Sequence, residues 1–460
     1  MKKRKPVFEE KHRYVAGIDI ASRADHFVCG PRLDNGDYEI VSFGTTTPKL
    51  YEMLEWLQKR NVKSVAMEST SVFWIPVADL LEMNGIEVVL VDTRVVRMIP
   101  GRKSDIEDCQ WLQKLHSSGL LRGAFRPNEK ITAVRSVLRE KDTFVSMRTQ
   151  AIQQIQKSLD QMNIRVHHAV SDITGKTGTA IIKAIIDGER DPIKLAKLRD
   201  MRCQKSEKEI ADHLTGTWRD EHLFNLGRSF STLQFLDDMI KEYDNKVAIM
   251  LQSLAEDFGT KTDDNSSDTN HPLPLQKVNK SDKARIIDTI SLHKIMGFDL
   301  TSIPGIGFNI ASIITSEIGT SFDRFPTEHH FASYIGLAPS LCKSAGKSAR
   351  QKQCKNTSRV GLVLRMAACS LCRSQTELGA YLRSIARRKD MKTAIKATAR
   401  RMAHLIYRGI KYGKEYIDIG VEAYQTRMKE KTVKTINRLI KSHGINKLDI
   451  DFGDVCNLSC

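Results

Sequence analysis

The chain has 460 residues, of which 41% are hydrophobic and 28% charged, a balance that excludes an intrinsically disordered protein and fits several folded domains. Lysine and arginine number 72 against 55 aspartates and glutamates, so the net charge at pH 7 is +17. Such an excess favours a polyanionic partner. No apolar run reaches the roughly 20 residues that a membrane span needs. The nine scattered cysteines are typical of reduced thiols, so we expect a cytoplasmic protein.

Strand and helix patterns alternate over residues 1–125. The predicted strands are residues 14–21, 26–30, 38–43, 63–68 and 86–92, and the predicted helices are residues 48–60, 74–84 and 104–116. Three strands followed by helix, strand, helix, strand and helix predict an α/β layer fold. The first strand is apolar except for Asp19, and an ionised carboxylate in a buried strand needs a compensating partner.

Three further acids occur where they can converge with Asp19. Glu68 ends the fourth strand, and Asp105 and Asp108 lie three residues apart on one face of the last helix. Ligands bind at strand ends in open α/β sheets. Carboxylate oxygens suit Mg²⁺, and two ions can activate a nucleophile and stabilise the leaving oxygen in phosphoryl transfer. The alternative is that each acid is ordinary, for example stabilising the start of a helix. Weaker candidates for the same site are Asp25, Asp92 and Glu107.

Residues 126–295 contain few glycines and prolines and are predicted to be mainly helical. Apolar residues at three- and four-residue spacing predict one long helix in a coiled coil. These residues are Ile131, Val134, Leu138, Val145, Ile152, Ile155, Leu159 and Met162. Lys141 and Arg148 interrupt this seam, and we expect them to mark its register. Residues 257–285 are polar and unpatterned, which predicts a flexible insertion.

A second compact region, residues 296–424, is predicted to be mainly α-helical, and residues 425–460 form a basic tail. No acidic residue occurs between Glu328 and Glu377. The residues predicted to bind nucleic acid there are Lys343, Lys347, Arg350, Lys352, Lys355 and Arg359. The GKS tripeptide in this segment is not a nucleotide-binding loop, because that pattern needs glycine where the chain has Leu341.

A serine in such a cationic segment can serve in two ways. It can attack phosphorus, because lysine and arginine stabilise its alkoxide and the developing phosphate charge. It can instead lie in a surface turn, where its hydroxyl only contacts phosphate. The residues alone leave Ser340, Ser344 and Ser348 equivalent.

Several motifs resemble the DEDD transposases of the insertion-sequence 110 family. The N-terminal motifs are GIDIAS with Asp19, AMESTSVFW with Glu68, and GRKSDIEDCQWL with Asp105 and Asp108. The C-terminal motifs follow in the family's order and are IPGIGFNIASIITSEIG, FASYIGLAPSLCKSAGKS and KNTSRVGLVLRMA. The resemblance covers roughly residues 14–125 and 298–415.

The resemblance implies a RuvC-like (ribonuclease-H-like) N-terminal domain in which Asp19, Glu68, Asp105 and Asp108 are catalytic ligands of Mg²⁺, with two ions expected. It implies that the C-terminal transposase domain supplies a serine nucleophile that links covalently to DNA, which by position is Ser344. Family members are recombinases guided by a structured RNA from the element's own end. They assemble as dimers that pair into tetramers, in which the carboxylates of one subunit complete the serine site of another. Excision and insertion are then expected to pass through a Holliday-type intermediate.

The chain departs from the family's pattern around the serine. Where the family often has Ser-Ser-Gly-Gly, residues 343–346 are Lys-Ser-Ala-Gly, so Ser340 and Ser348 stay as alternative nucleophiles. Cys109 replaces the usual small residue after the last aspartate.

Two other functions stay open. A RuvC-like metal-dependent nuclease acting on Holliday junctions would use the same carboxylates with water as the nucleophile, and the basic region would only bind DNA. A non-catalytic DNA- or RNA-binding protein would leave the carboxylates idle. Free hydrolysed ends would indicate the nuclease, and a protein-linked strand would indicate the recombinase.

Overall fold

The structure is a computed structural model. It describes residues 9–21, 25–69, 71–91, 105–121, 123–124, 126–259, 286–338, 342–344, 347–349, 358–413 and 420–443. The chain forms two compact units, Met1–Arg126 and Pro127–Cys460. Within the described ranges, no helix combines the length and the apolar character that a membrane span requires.

The first unit is built on a five-stranded mixed sheet. Its strands are β1 (Val15–Asp19), β2 (His26–Arg32), β3 (Tyr38–Phe43), β4 (Ser64–Glu68) and β5 (Glu87–Val91), and its helices are α1 (Thr47–Lys59), α2 (Trp74–Met83) and α3 (Asp105–Ser117). The strand order is β3-β2-β1-β4-β5. β1 pairs antiparallel with β2 and parallel with β4, and β4 pairs parallel with β5. These elements fall where the sequence predicts them, so the predicted α/β layer fold is confirmed.

Helices cover both faces of this sheet. On one face, Ile18 and Met67 pack in a buried cluster with Leu57 of α1 and Leu81 of α2. On the other face, α3 lies directly against β1 at Gly17. An added Cβ at that position would come within 2.3 Å of a backbone oxygen of α3, so only glycine permits this approach.

The second unit is mainly helical, as predicted. Its helices are α4 (Glu129–Gln161), α5 (Val166–Ala169), α6 (Lys176–Ile186), α7 (Pro192–Ala196), α8 (Glu207–Leu214), α9 (Asp220–Gly259), α10 (Ile286–Met296), α11 (Phe308–Ile318), α12 (Glu328–Tyr334), α13 (Arg359–Ser370), α14 (Glu377–Arg388), α15 (Met391–Tyr412) and α16 (Gly420–His443), with 3-10 turns at Leu300–Ser302 and Leu371–Arg373. Strands β6 (Cys342–Ser344) and β7 (Lys347–Ala349) form an antiparallel hairpin that the sequence pattern did not predict. The insertion predicted at 257–285 lies outside the described residues beyond Gly259. The domain boundaries near 125, 295 and 424 stay predictions.

The two longest helices, α4 and α9, pack antiparallel. Lys141 pairs with Asp244 and Arg148 with Asp237, so both basic residues that interrupt the apolar seam pair with acids of α9. The seam differs at one position. Val145 is 40% exposed. The preceding residue, Phe144, takes the inner position, because its ring packs against Tyr243 of α9 with 5.2 Å between the ring centres.

Candidate active site

Asp19 and Glu68 are the last residues of two adjacent parallel strands. Ile18 of β1 pairs with Met67 of β4. Asp19 and Glu68 are the next residues of these strands, so they lie side by side at the same edge of the sheet. Neighbouring strands lie about 4.8 Å apart. Both acids are partly buried. This edge therefore holds two carboxylates close together.

The pleat of the strands turns both carboxylates towards α3. Side chains two residues apart in a strand share a face, so Asp19 shares the face of Gly17 and Glu68 that of Ala66. Gly17 lies against the backbone of α3, and Ala66 packs with Leu112 of α3. Both acids therefore lie on the face of the sheet that α3 covers.

Asp108 belongs to α3, the helix that covers this face. The neighbouring residue Cys109 is buried, and burial, together with the negative charges of Asp19 and Asp108, raises the pKa of its thiol to about 12. Two carboxylates from different elements thus act on one thiol.

Asp105 is the first residue of α3, three positions before Asp108. Its side chain lies outside the described residues, so only its backbone position is established. Of the weaker candidates, Asp25 and Glu107 are exposed, and Asp92 lies outside the described residues. The dipole of α3 stabilises acids in its first turn without any metal. That explanation does not extend to Asp19, which belongs to a strand.

The donor set on this face fits a hard divalent cation. Carboxylate oxygens are the ligands that Mg²⁺ prefers, and clustered carboxylates repel one another unless a cation lies between them. Asp19, Glu68, Asp108 and, by its backbone position, Asp105 are the residues that could hold it.

The hairpin in the second unit contains the predicted nucleophile. Its backbone register pairs Ser344 with Lys347, and Lys343 with Ser348. Ser344 is therefore the last residue of β6, beside the two-residue connection to β7. Ser340, Arg350, Lys352 and Lys355 lie outside the described residues. For Ser344, Ser348, Lys343 and Lys347 the structure describes the backbone.

Arg359, which was predicted to bind nucleic acid, makes ion pairs within the protein. Its guanidinium pairs with Asp142 of α4 and lies 3.1 Å from a carboxylate oxygen of Glu317 of α11. Only 19% of its side chain is exposed. The sequence does not show these pairs, because the partners lie 217 and 42 positions away.

A second group of potential metal ligands lies in the second unit. One ligand atom each from Glu328, His329 and His404 lies within 4.8 Å of the others. Arg408 already donates to both carboxylate oxygens of Glu328, at 2.5 and 2.8 Å, and Arg400 lies 3.3 Å from Nδ1 of His329. Two fixed guanidinium charges repel a divalent cation at this range. We therefore assign the cluster to an ion-pair network joining α12 to α15, which no sequence motif indicated.

Two protein-family models match the chain. One, described as a transposase and named for DEDD transposases of the IS110 type, matches residues 16–164. The other, described as "Transposase IS116/IS110/IS902 family", matches residues 299–383. The protein is thus a transposase, an enzyme that cuts and joins DNA. It belongs to the IS110 family, as the sequence motifs predicted. No curated protein matches it.

Proposed function

We propose that the protein is the recombinase of a mobile insertion sequence and that it joins DNA through a covalent phosphoserine intermediate. The observation that carries the proposal is that Asp19 and Glu68 end adjacent strands on the face of the first sheet that α3, the helix of Asp108, covers. The strand order and the site at the carboxyl edge support a RuvC-like domain. Net charge and family membership support DNA as the substrate.

The proposed reaction starts at Ser344. Its hydroxyl oxygen attacks a phosphodiester phosphorus and loses its proton. The bond from phosphorus to one strand oxygen breaks, and that oxygen leaves as a hydroxyl. A hydroxyl of the recombining strand then attacks the phosphoserine, which restores a phosphodiester and returns the proton to Ser344. Two Mg²⁺ ions at the four carboxylates would supply charge stabilisation for these steps.

Ser344 is supported as the nucleophile by its place in the hairpin. Its backbone partner is Lys347, so a basic residue belongs to the neighbouring position on β7. Positive charge stabilises both a serine alkoxide and a transferring phosphoryl group. We propose that the phosphates of the DNA backbone are bound by Lys343, Lys347, Arg350, Lys352 and Lys355.

The proposed assembly includes an RNA and further subunits. From family membership and the basic composition we expect an element-encoded guide RNA, dimers that pair into tetramers, and a cytoplasmic location. Their tests are co-purification of an RNA from the element's end and the mass of the complex in solution.

The deciding experiment incubates the purified protein with DNA of its element junction, the cognate RNA and Mg²⁺, and looks for a protein–DNA adduct on a denaturing gel. We expect an adduct with the wild type and none with Ser344→Ala or Asp19→Asn. Ser348→Ala and Glu107→Gln are matched controls, because they change another hairpin serine and an exposed acid of α3. Both should retain the adduct.

The other outcomes separate the alternatives. An adduct that persists in Ser344→Ala but is lost in Ser348→Ala would transfer the nucleophile to Ser348. Cleavage to free ends without an adduct would establish the nuclease that uses water. Activity that survives both chelation and Asp19→Asn would refute the carboxylate site.

A further inference from the structure

Glu317 is the centre of an arginine cluster in the second unit. This residue lies near the end of α11, and only 10% of its side chain is exposed. Arg139 of α4 donates to both of its carboxylate oxygens, at 2.9 and 2.8 Å. Arg359 of α13 donates to one of them at 3.1 Å, and Arg135 of α4 lies 3.5 Å away. One carboxylate therefore joins three helices.

The electrostatics keep this carboxylate ionised. Burial alone would raise the pKa of Glu317, but the hydrogen bond from Arg139 and the charges around it outweigh burial and lower the pKa below its ordinary value. Arg135 also donates to the backbone oxygens of Ser316 and Glu317, at 3.0 and 3.1 Å. It thereby satisfies carbonyls that the end of α11 leaves without helical partners.

Arg359 is also the first residue after the serine-bearing segment. Ser358 caps α13 by accepting a hydrogen bond from Gly361, and its hydroxyl donates to the backbone oxygen of Ile335 at 3.1 Å. Ile335 follows α12, where the segment with the β6–β7 hairpin begins. Ser358 therefore ties the two ends of the segment together, and Arg359 ties its exit to α4 through Asp142.

We propose that Arg359 and Glu317 are positioning residues that anchor, to α4 and α11, the end of the segment that carries the hairpin of the serine nucleophile. This assignment rests on the proposed phosphoserine function. It also revises the role of Arg359, whose guanidinium is largely buried and is bound by Glu317 and Asp142. The cluster fixes where the segment returns to the helical core, so its loss displaces the hairpin while its basic residues stay available for DNA.

Two quantities distinguish positioning from phosphate contact. A side chain that neutralises a phosphate contributes about one unit to the slope of log affinity against log salt concentration. A positioning residue leaves that slope unchanged and lowers the rate of the bound complex, because a misplacement of about 1 Å can reduce a rate about 100-fold.

The experiment uses the full chain with junction DNA, cognate RNA and Mg²⁺. The variants are Arg359→Gln, which removes the charge, Arg359→Lys, which keeps the charge but loses the planar fork, Glu317→Gln, and Asp142→Asn, which removes the exposed partner on α4. Lys347→Gln is the control for a phosphate contact. Each is measured for melting temperature, salt slope and adduct formation at saturating protein.

We expect Arg359→Lys and Glu317→Gln to keep the wild-type salt slope and to form the adduct at least 10-fold more slowly at saturation, with a smaller effect of Asp142→Asn. Lys347→Gln should lower the slope by about one unit. If Glu317→Gln lowers the melting temperature too far for assay, Arg359→Lys decides.

Three results would overturn the assignment. Arg359→Gln could lower the slope by about one unit with an unchanged rate at saturation, which would make Arg359 a phosphate contact. Glu317→Gln could strengthen binding and steepen the slope, which would mean that Glu317 restrains DNA-binding arginines. The variants could change only the melting temperature, which would leave a structural role. Failure of the phosphoserine proposal looks different, because then even the wild type forms no adduct, and cleavage rates replace adduct rates in the same comparison.

Discussion

At the scale of single residues, buried polar groups mark two ends of the contact between α3 and the sheet. At the carboxyl edge of the parallel strands, burial and the charges of Asp19 and Asp108 raise the pKa of the Cys109 thiol. At the other end, Ser64 at the start of β4 shares a 2.9 Å hydrogen bond with Nε2 of His116 near the end of α3. Burial, with a smaller contribution from the charge of His12, lowers the pKa of His116 to about 4. His116 is therefore a neutral part of the packing at physiological pH.

This shifted pKa predicts how stability depends on pH. His116 titrates near 6.5 when unfolded and near 4 when folded, so the unfolded state binds the extra proton first as the pH falls. The contribution of neutral His116 to the free energy of unfolding is complete above about pH 6.5. As the pH falls to 4, this contribution decreases progressively, by up to about 3 kcal/mol. Urea denaturation between pH 4 and 7.5 measures this loss.

The control for that measurement is His116→Gln, which offers Ser64 an amide partner without a titratable ring. Its stability should vary less with pH than that of the wild type. An equally steep curve would assign the effect to another group, such as His26, whose pKa burial also lowers.

At the scale of elements, the candidate active site depends on how closely α3 approaches β1. Gly17 allows backbone contact, since an added Cβ would lie 2.3 Å from the backbone oxygen of Cys109 and 2.5 Å from the backbone nitrogen of Gln113. Asp19 lies two residues further along the same face of the strand. The spacing of Asp19 and Asp108 is thus a consequence of the packing at Gly17.

Gly17→Ala is therefore expected to push α3 off the sheet. Overpacking of this kind destabilises a protein by about 1–3 kcal/mol, and more where backbone cannot give way. DNA cleavage should fall further than stability does, because the carboxylates move apart. Thermal unfolding and the adduct assay measure the two effects.

The matched control is Gly227→Ala in α9, where the nearest atom to an added Cβ is 3.8 Å away. Alanine in a helix is favoured over glycine by about 1 kcal/mol, so this variant should be as stable as the wild type or more so. If Gly17→Ala changed neither the thermal stability nor adduct formation, the position of α3 would not depend on this close approach.

The elements of the first unit could be predicted from the sequence because each is an apolar run bounded by turn residues. Asp19 and Glu68 were found because an acid in an apolar strand is conspicuous. The β6–β7 hairpin was missed, since the three-residue strands Cys-Lys-Ser and Lys-Ser-Ala are too short to show an alternating pattern. The ion pairs of Arg359 with α4 and α11 could not be predicted either, because a basic residue in a basic segment gives no sign of acidic partners elsewhere in the chain. Such long-range pairs leave no local signal.

At the scale of the whole molecule, a metal cation has to bind away from the fixed positive charges of lysine and arginine, because these repel it. The net charge of +17 favours nucleic acid, and the arginines around Glu328 repel cations. The first unit offers carboxylate oxygens from Asp19, Glu68 and Asp108, which are the ligand type that Mg²⁺ prefers. We therefore expect Mg²⁺ to bind at the carboxylates on the sheet and not at the cluster of Glu328, His329 and His404.

Metal binding without DNA tests that expectation directly. A ligand that binds only the folded state stabilises it by about 2.7 kcal/mol at 100 times its dissociation constant. We expect Mg²⁺ to raise the melting temperature of the wild type and of Glu328→Gln, and to have little effect on Asp19→Asn. Glu107→Gln, an exposed acid on α3, is the control for general charge effects and should respond like the wild type. A shift that survives Asp19→Asn but disappears in Glu328→Gln would move the metal to the histidine cluster, in spite of its arginines. The carboxylates on the sheet would then need another explanation for their convergence.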